Sequence, residues 1–198
     1  ARRFRADFVI SHLFGRAPSV QLQALRRAGF PLEKVVSFVW GQSEADIEAG
    51  GGYAENVGYN GIQFAGVGDD FEVRREIEAM YKEEGQDLPD TFDSTVFYNR
   101  GLLIGALHVQ AVRNAVEANG GSADITGTDV RDGFRAIKEF KLGELVPPLN
   151  LAGGDHEGGG WVRVFTVTKD GFEPATDWFK GYRDVVFEMI KEEAAKQN

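Results

Sequence analysis

The sequence predicts an α/β fold built on a parallel sheet, and three observations carry that expectation. Residues 7–13 (DFVISHL), 35–39 (VVSFV) and 58–65 (GYNGIQFA) are short apolar or β-branched runs, each ending at a glycine-bearing turn. The stretches between them carry helix start and stop signals. The connections are short, so the order β-α-β-α-β gives parallel strands, right-handed crossovers and helices on the faces of the sheet.

Each element has its own warrant. Pro18 suits a first helical position, Val20, Ala24 and Ala28 share a face with Leu25, and Gly29 stops that helix. Ser43 followed by Asp46 is a capping-box signal, and Gly50, Gly51 and Gly52 break the helix it starts. Asp70 is placed to cap a helix that has Val73, Ile77 and Met80 on one face and stops at Gly85. After a polar loop over 86–93, residues 101–116 (GLLIGALHVQAVRNAV) are apolar nearly all round, which predicts a buried helix. Thr126 with Asp129 is a second capping box, leading a short helix with Val130, Phe134 and Ile137 as its buried stripe. A Pro147-Pro148 break, a short extended run and a Gly-rich loop then precede an alternating strand from Trp161 to Thr168, closed by a Lys169-Asp170-Gly171 turn. A last helix over 177–196 has Phe179, Val186 and Ile190 facing inward. The helix-rich stretch from 69 to about 140 reads as part of a different lobe, with its own sheet elsewhere.

Parallel strands direct attention to one edge, because ligands of such sheets bind outside the carboxyl ends of the strands. Three strand ends should meet there: Phe14-Gly15-Arg16, Trp40-Gly41-Gln42 and Gly66-Val67-Gly68. The glycines permit close backbone approach.

Composition narrows the function classes. The 198 residues carry 42% hydrophobic and 27% charged side chains, ordinary for a soluble globular chain with a real core. A formal charge of -9 argues against nucleic acid or an anionic membrane as partner, since both demand concentrated Lys and Arg. With no cysteine there is no disulfide, thiolate metal site or cysteine nucleophile within this sequence. No apolar run approaches the roughly 20 residues of a membrane span, and no secretory signal is visible. Ala1 to Arg5 is a basic stub followed at once by an apolar strand, without an initiator Met; this reads as a fragment beginning near the end of a helix inside a domain.

The segments DFVISHLFGRAP, KVVSFVWGQSEAD, VFYNRGLLIGALHVQAVRNAV, TGTDVRDGFRAIKEF and VPPLNLAGGDHEGGGWVRVFTV occur in an order that resembles the C-terminal half of type I periplasmic solute-binding proteins of the branched-chain amino-acid (leucine/isoleucine/valine-binding) ABC transporter class. The resemblance covers nearly the whole chain. It implies an α/β fold of two lobes with parallel central sheets and a hinge cleft. Residues 1–68 would be a β-α-β-α-β segment of the second lobe, 69–155 a helix-rich return into the first lobe, 156–176 a crossover with strands of the second lobe, and 177–198 the C-terminal helix. The implied role is capture of a small organic solute in the periplasm, a hydrophobic amino acid or an aromatic or aliphatic carboxylate, and delivery to a membrane ABC permease. The N-terminal half of the same protein is an implied partner. No enzyme activity, cofactor or metal is expected. A ligand-sensing regulatory module of the same fold is the alternative, and an α/β enzyme using the strand-end loops is a third.

The resemblance places Phe14 and Trp40 where aromatic side chains pack on ligand, with Gly15, Arg16 and Gly41 beside them. Amino-acid-binding members have an acidic residue near the position of Trp40 to hold the ligand ammonium. Here the next carboxylate is Glu44, inside a helix start, which shifts the reading toward a carboxylate solute stacked on Trp40. Tyr98, Asn99, Arg100 and Gly101 precede the buried helix, so its free backbone N–H groups and the Arg100 guanidinium suit an anion. The resulting geometric expectation is that Phe14 and Trp40 share a rim and face Tyr98 and Arg100 across a gap. His12 and His108 read as satisfied core histidines, and Asp155-His156-Glu157 as a lobe-linking loop and not a metal site. Gly66-Val67-Gly68 lacks the rest of a nucleotide-binding fingerprint, and without a Gly-x-Ser-x-Gly elbow a hydrolase has no nucleophile.

Overall fold

A computed structural model describes residues 5–152 and 158–196. Asp155, His156 and Glu157 lie outside the described residues. The first three strands are β1 (Val9–Ser11), β2 (Val35–Ser37) and β3 (Asn60–Gln63), separated by α1 (Ala17–Arg27) and α2 (Glu44–Ala49). They pair in parallel, with Val9 opposite Val35 and Val36 opposite Asn60. The strands are shorter than the apolar runs that predicted them, but they stand in the expected places.

Next come α3 (Glu72–Glu83), α4 (Thr95–Ala118) and α5 (Gly127–Arg135). The chain then returns as β4 (Trp161–Thr168), β5 (Gly171–Pro174), β6 (Phe179–Lys180) and α6 (Arg183–Ala195). β4 runs antiparallel to β3 and pairs with β5 and β6, so the single sheet is mixed, in the order β1-β2-β3-β4-β5. Among the described residues the helix-rich stretch has no second sheet, only an isolated bridge between Phe140 and Leu149.

The local signals hold where the interaction is local. Ser43 with Asp46 and Thr126 with Asp129 both form reciprocal capping boxes. Pro18 sits in the first turn of α1, and Gly29 takes the left-handed conformation, φ 67°, past its end.

Several side-chain expectations are corrected. In α1 the buried residues are Pro18, Ser19 and Leu22, while Val20 and Ala24 are exposed. Asp70 does not cap α3; it pairs with Arg75, and the buried residue of α3 is Arg74. Met80 is exposed. α4 starts six residues before Gly101, and it is half-exposed: Ile104, Val109 and Val112 face outward. In α6 no residue is buried, and Val186 and Ile190 are exposed. Phe179 belongs to β6. His12 and His108 are exposed too, the first edge-on to Phe38 and the second to Phe134.

One core joins Leu22 of α1 and Ile47 of α2 to Val35, Tyr59 and Val167 of the sheet region. A second joins Leu103 of α4 to Ala65, Leu145, Val146 and Leu149. Burying a side chain of this size stabilises by about 1.5–3 kcal/mol. α5 lies against α4 through Gly133, where a Cβ would collide with the backbone carbonyl of Ala111.

Candidate functional site

Because β1, β2 and β3 are parallel, their carboxyl ends lie on one edge. Phe14 stands there 75% exposed and Trp40 55% exposed. Gly15 has φ 65° with open space around it, and Arg16 is the exposed residue immediately before α1.

The loop carrying Trp40 is seated from below. The Tyr59 hydroxyl donates to the Gly41 carbonyl at 2.8 Å. Gln42, fully buried, donates from Nε2 to the carbonyls of Tyr59 and Phe165, each at 3.0 Å. Its side chain lies directly over Gly61, where any Cβ would strike it, so β3 needs glycine at that point. Burial pushes the Tyr59 phenol up to about 12, against an opposing hydrogen bond from Ser37 and with a smaller upward push from Asp46.

Arg100 comes from α4 and packs against Trp40 directly, not from across an open gap. It is 4% exposed. Its Nη2 donates to the Val39 carbonyl and to Gln63 Oε1. Its guanidinium carbon lies 5.1 Å from the Phe64 ring centre, 5.4 Å from Phe97 and 5.7 Å from Trp40. Nε and Nη1 are buried without a hydrogen-bond partner. Burial lowers its pKa to about 10, with Glu44 and then Asp46 pulling the other way.

The start of α4 already holds an anion. Glu44 Oε1 accepts from the Thr95 hydroxyl at 2.7 Å and from the Val96 N–H at 3.0 Å. Thr95 in turn accepts from the Gly68 N–H at 3.0 Å. Tyr98, Asn99 and Arg100 therefore lie within the helix and do not precede it. Asn99 donates to the carbonyls of Gly66 and Gly68, each at 2.9 Å, and accepts from Arg74 Nη1 at 3.1 Å. Tyr98 turns toward α3, edge-on to Phe92 at 4.9 Å with Arg74 at 5.4 Å. Burial raises its phenol pKa.

Tyr98 lines an apolar cavity of about 710 Å³ with Val73, Phe97, Gly101, Leu102 and Leu142. Phe97 is common to this cavity and to the aromatic ring set around Arg100. The structure thus brings Trp40, Gly41 and Arg100 together, keeps Phe14, Gly15 and Arg16 on the same sheet edge, and turns Tyr98 to the other side of α4. Sequence reasoning missed Phe64, Phe97 and Gln63. Gln63 was the readable one, as a polar residue in the apolar strand run GYNGIQFA. Among the described residues no group of three potential metal ligands occurs, and no helix is long and apolar enough to cross a membrane.

A sequence search finds no matching protein family and no matching curated protein. Solved structures do match. An ABC transporter permease from the Pseudomonas fluorescens group is 27% identical, with TM-score 0.86 over 98% of this chain and 48% of its own. A branched-chain amino-acid ABC transporter from Thermus thermophilus, with bound valine, is 19% identical, with TM-score 0.75 over 94% of this chain and 50% of its own. A fatty-acid ABC transporter substrate-binding protein from Thermomonospora curvata is 16% identical, with TM-score 0.67 over 91% and 45%. The chain has the α/β fold of type I periplasmic binding proteins, as these neighbours do. It spans about half the length of the solved structures it matches.

Proposed function

We propose that this chain is part of the solute-binding component of an ABC-type importer. It captures a small organic solute between two lobes that close by hinge bending, in the periplasm, and hands it to a membrane permease. The observation that carries the reading is the half-exposed Trp40 at the carboxyl edge of the parallel strands, over a buried guanidinium, on a fold shared with transporter binding proteins. A flat aromatic wall gives an apolar solute a stacking face, and closure then selects solutes by contacts made only in the closed state.

The solute class follows from the charges. Glu44, the carboxylate nearest Trp40 in sequence, gives Oε1 to Thr95 and Val96 at the start of α4 and has Oε2 buried, so it is enclosed and not presented to an ammonium in the cleft. The charge behind the Trp40 wall is the cation of Arg100. An aromatic or aliphatic carboxylate therefore fits better than a hydrophobic amino acid, with Phe14, Gly15, Arg16, Trp40 and Gly41 at the rim. The second lobe comprises residues 1–68 and the returning strands; residues 69–155 belong to the first lobe, which a further N-terminal half completes. Uncovered apolar side chains support this: Phe8 just before the edge strand β1 and Ile10 on it, Ile104 and Val112 on α4, and Val185 and Met189 on α6.

Calorimetry on the full chain, titrated with leucine, valine, phenylacetate and octanoate, tests the proposal. A saturable site for the carboxylates is expected, weakened roughly 2- to 12-fold by Trp40→Ala, the equivalent of about 0.5–1.5 kcal/mol of stacking. Absence of binding by both classes, or turnover of a bound compound, overturns it.

A further inference from the structure

We propose that Arg100 is a positioning residue for Trp40, and that with Glu44 it ties both ends of the loop over residues 39–44 to the first two turns of α4. This deepens the reading of Trp40 as the solute wall and rests on it.

The two ties run in opposite directions. From α4, Arg100 reaches to the Val39 carbonyl, one residue before Trp40. From the far end of the loop, Glu44 reaches to the Val96 N–H, one helical turn before Arg100. The loop between them is held by Tyr59 at Gly41 and by the Gln42 side chain below it. The guanidinium is itself fixed. Its Nη2 is shared with Gln63, Gln63 Nε2 donates to Gln42, and Gln42 donates to the Phe165 carbonyl on β4. A hydrogen-bonded run thus extends from the returning strand through the sheet edge to the underside of Trp40.

Packing alone does not explain this arrangement. A methionine would fill the space between Phe64 and Phe97 without leaving two guanidinium nitrogens buried and unpartnered, a costly feature of the native site. What the guanidinium adds is direction. It fixes the carbonyl before Trp40 and presents its charge to the ring, so with α4 in this position the wall is preset. A preset wall spares the solute the ordering cost of the loop.

The test uses no solute, so it can fail while the solute-binding reading stands, and the reverse. In the full chain, Trp161→Phe and Trp178→Phe leave Trp40 as the reporter among these residues, after any tryptophan elsewhere is also replaced. Acrylamide quenching and anisotropy decay of Trp40 are measured in this background, then with Arg100→Met, Arg100→Lys and Glu44→Ala, and thermal melting checks that each variant is folded. Trp40 is already 55% exposed, so release can raise quenching by at most about twofold. We expect a rise toward that limit and faster local anisotropy decay for Arg100→Met and Glu44→Ala. A smaller change is expected for Arg100→Lys, which keeps the charge and one donor direction. Parental quenching and anisotropy in folded Arg100→Met overturn the proposal. Should that variant not fold, parental signals in folded Arg100→Lys and Glu44→Ala together overturn it.

Discussion

Asn99→Ala should be among the most damaging single substitutions in this chain. Asn99 is fully buried on α4 and uses three of its hydrogen-bonding positions. Its Nδ2 donates to the Gly66 and Gly68 carbonyls, and its Oδ1 accepts from Arg74 Nη1. Alanine removes all three bonds. Each is worth about 1 kcal/mol net, and a buried donor left without an acceptor costs about 1–3 kcal/mol more. Arg74 keeps its bond to the Phe92 carbonyl and its place over the Phe92 ring, so the lower part of that second range applies. The sum is roughly 4 kcal/mol, a large part of the 5–15 kcal/mol typical of a folded domain. Urea unfolding of the full chain is the assay, with a midpoint shift of about 1.3–4 M for a slope of about 1–3 kcal/mol per M. Asn99→Asp separates the two sides of the residue, since it keeps an acceptor for Arg74 and loses both donors to the glycine carbonyls. It should be destabilising as well. A loss below about 1 kcal/mol for Asn99→Ala would refute the reasoning, because it would mean that water reaches these groups freely.

Two further outcomes follow from single contacts. Tyr59 has its pKa raised from 10.0 to about 12, so between those values the unfolded chain loses the phenolic proton while the folded chain keeps it. Stability should therefore fall as pH rises through that window, by roughly 3 kcal/mol at about 1.4 kcal/mol per unit. Tyr59→Phe should cost about 1 kcal/mol at neutral pH and reduce the alkaline slope in pH-dependent urea melts, leaving the part contributed by Tyr53, whose phenol is also pushed up to about 12 by burial; an unchanged slope counts against it. Gly133→Ala should destabilise by about 1–3 kcal/mol, because the added methyl meets the Ala111 carbonyl of α4 and overpacks the helix pair. A gain of about 1 kcal/mol, the intrinsic preference of a helix for alanine, would show that α5 can simply move away.

Which features were legible in the sequence tracks how far apart the interacting residues are. Both capping boxes could be read because donor and acceptor are three residues apart. The parallel order of the first three strands followed from short connections, and Trp40 stood out as an aromatic at a glycine-bearing strand end. The start of α4 was misplaced for a physical reason. Ser94 makes no side-chain cap, and the capping carboxylate, Glu44, comes from 51 residues earlier. That error put Arg100 in a loop, where it could meet a ligand, whereas it lies inside the helix, where it meets Trp40. The buried side of α4 includes Val96, Asn99, Arg100 and Leu103, with two polar residues at its centre. A reading that looks only for an apolar face passes over them. The histidines and α6 failed in the opposite sense: apolar or aromatic surroundings in sequence suggested burial, but no element among the described residues covers those faces.

The buried polar groups form two runs that meet on α4. One passes from Phe165 through Gln42 and Gln63 to Arg100. The other passes from Phe92 through Arg74 to Asn99 and ends on Gly66 and Gly68. Apolar packing tolerates small slips along a helix axis, but directed hydrogen bonds from adjacent residues 99 and 100 to three backbone carbonyls on two separate segments, Val39 on one and Gly66 and Gly68 on the other, do not. The Trp40 loop, the turn at 66–68 and the first two turns of α4 are therefore held together in this structure. The proposed lobe boundary at 68/69 runs between the Trp40 loop and α4, so hinge opening of the proposed lobes has to break the Arg100 and Glu44 ties and closure remakes them. Loosening the wall would weaken binding through the cost of ordering the loop, without removing any contact that the bound solute makes.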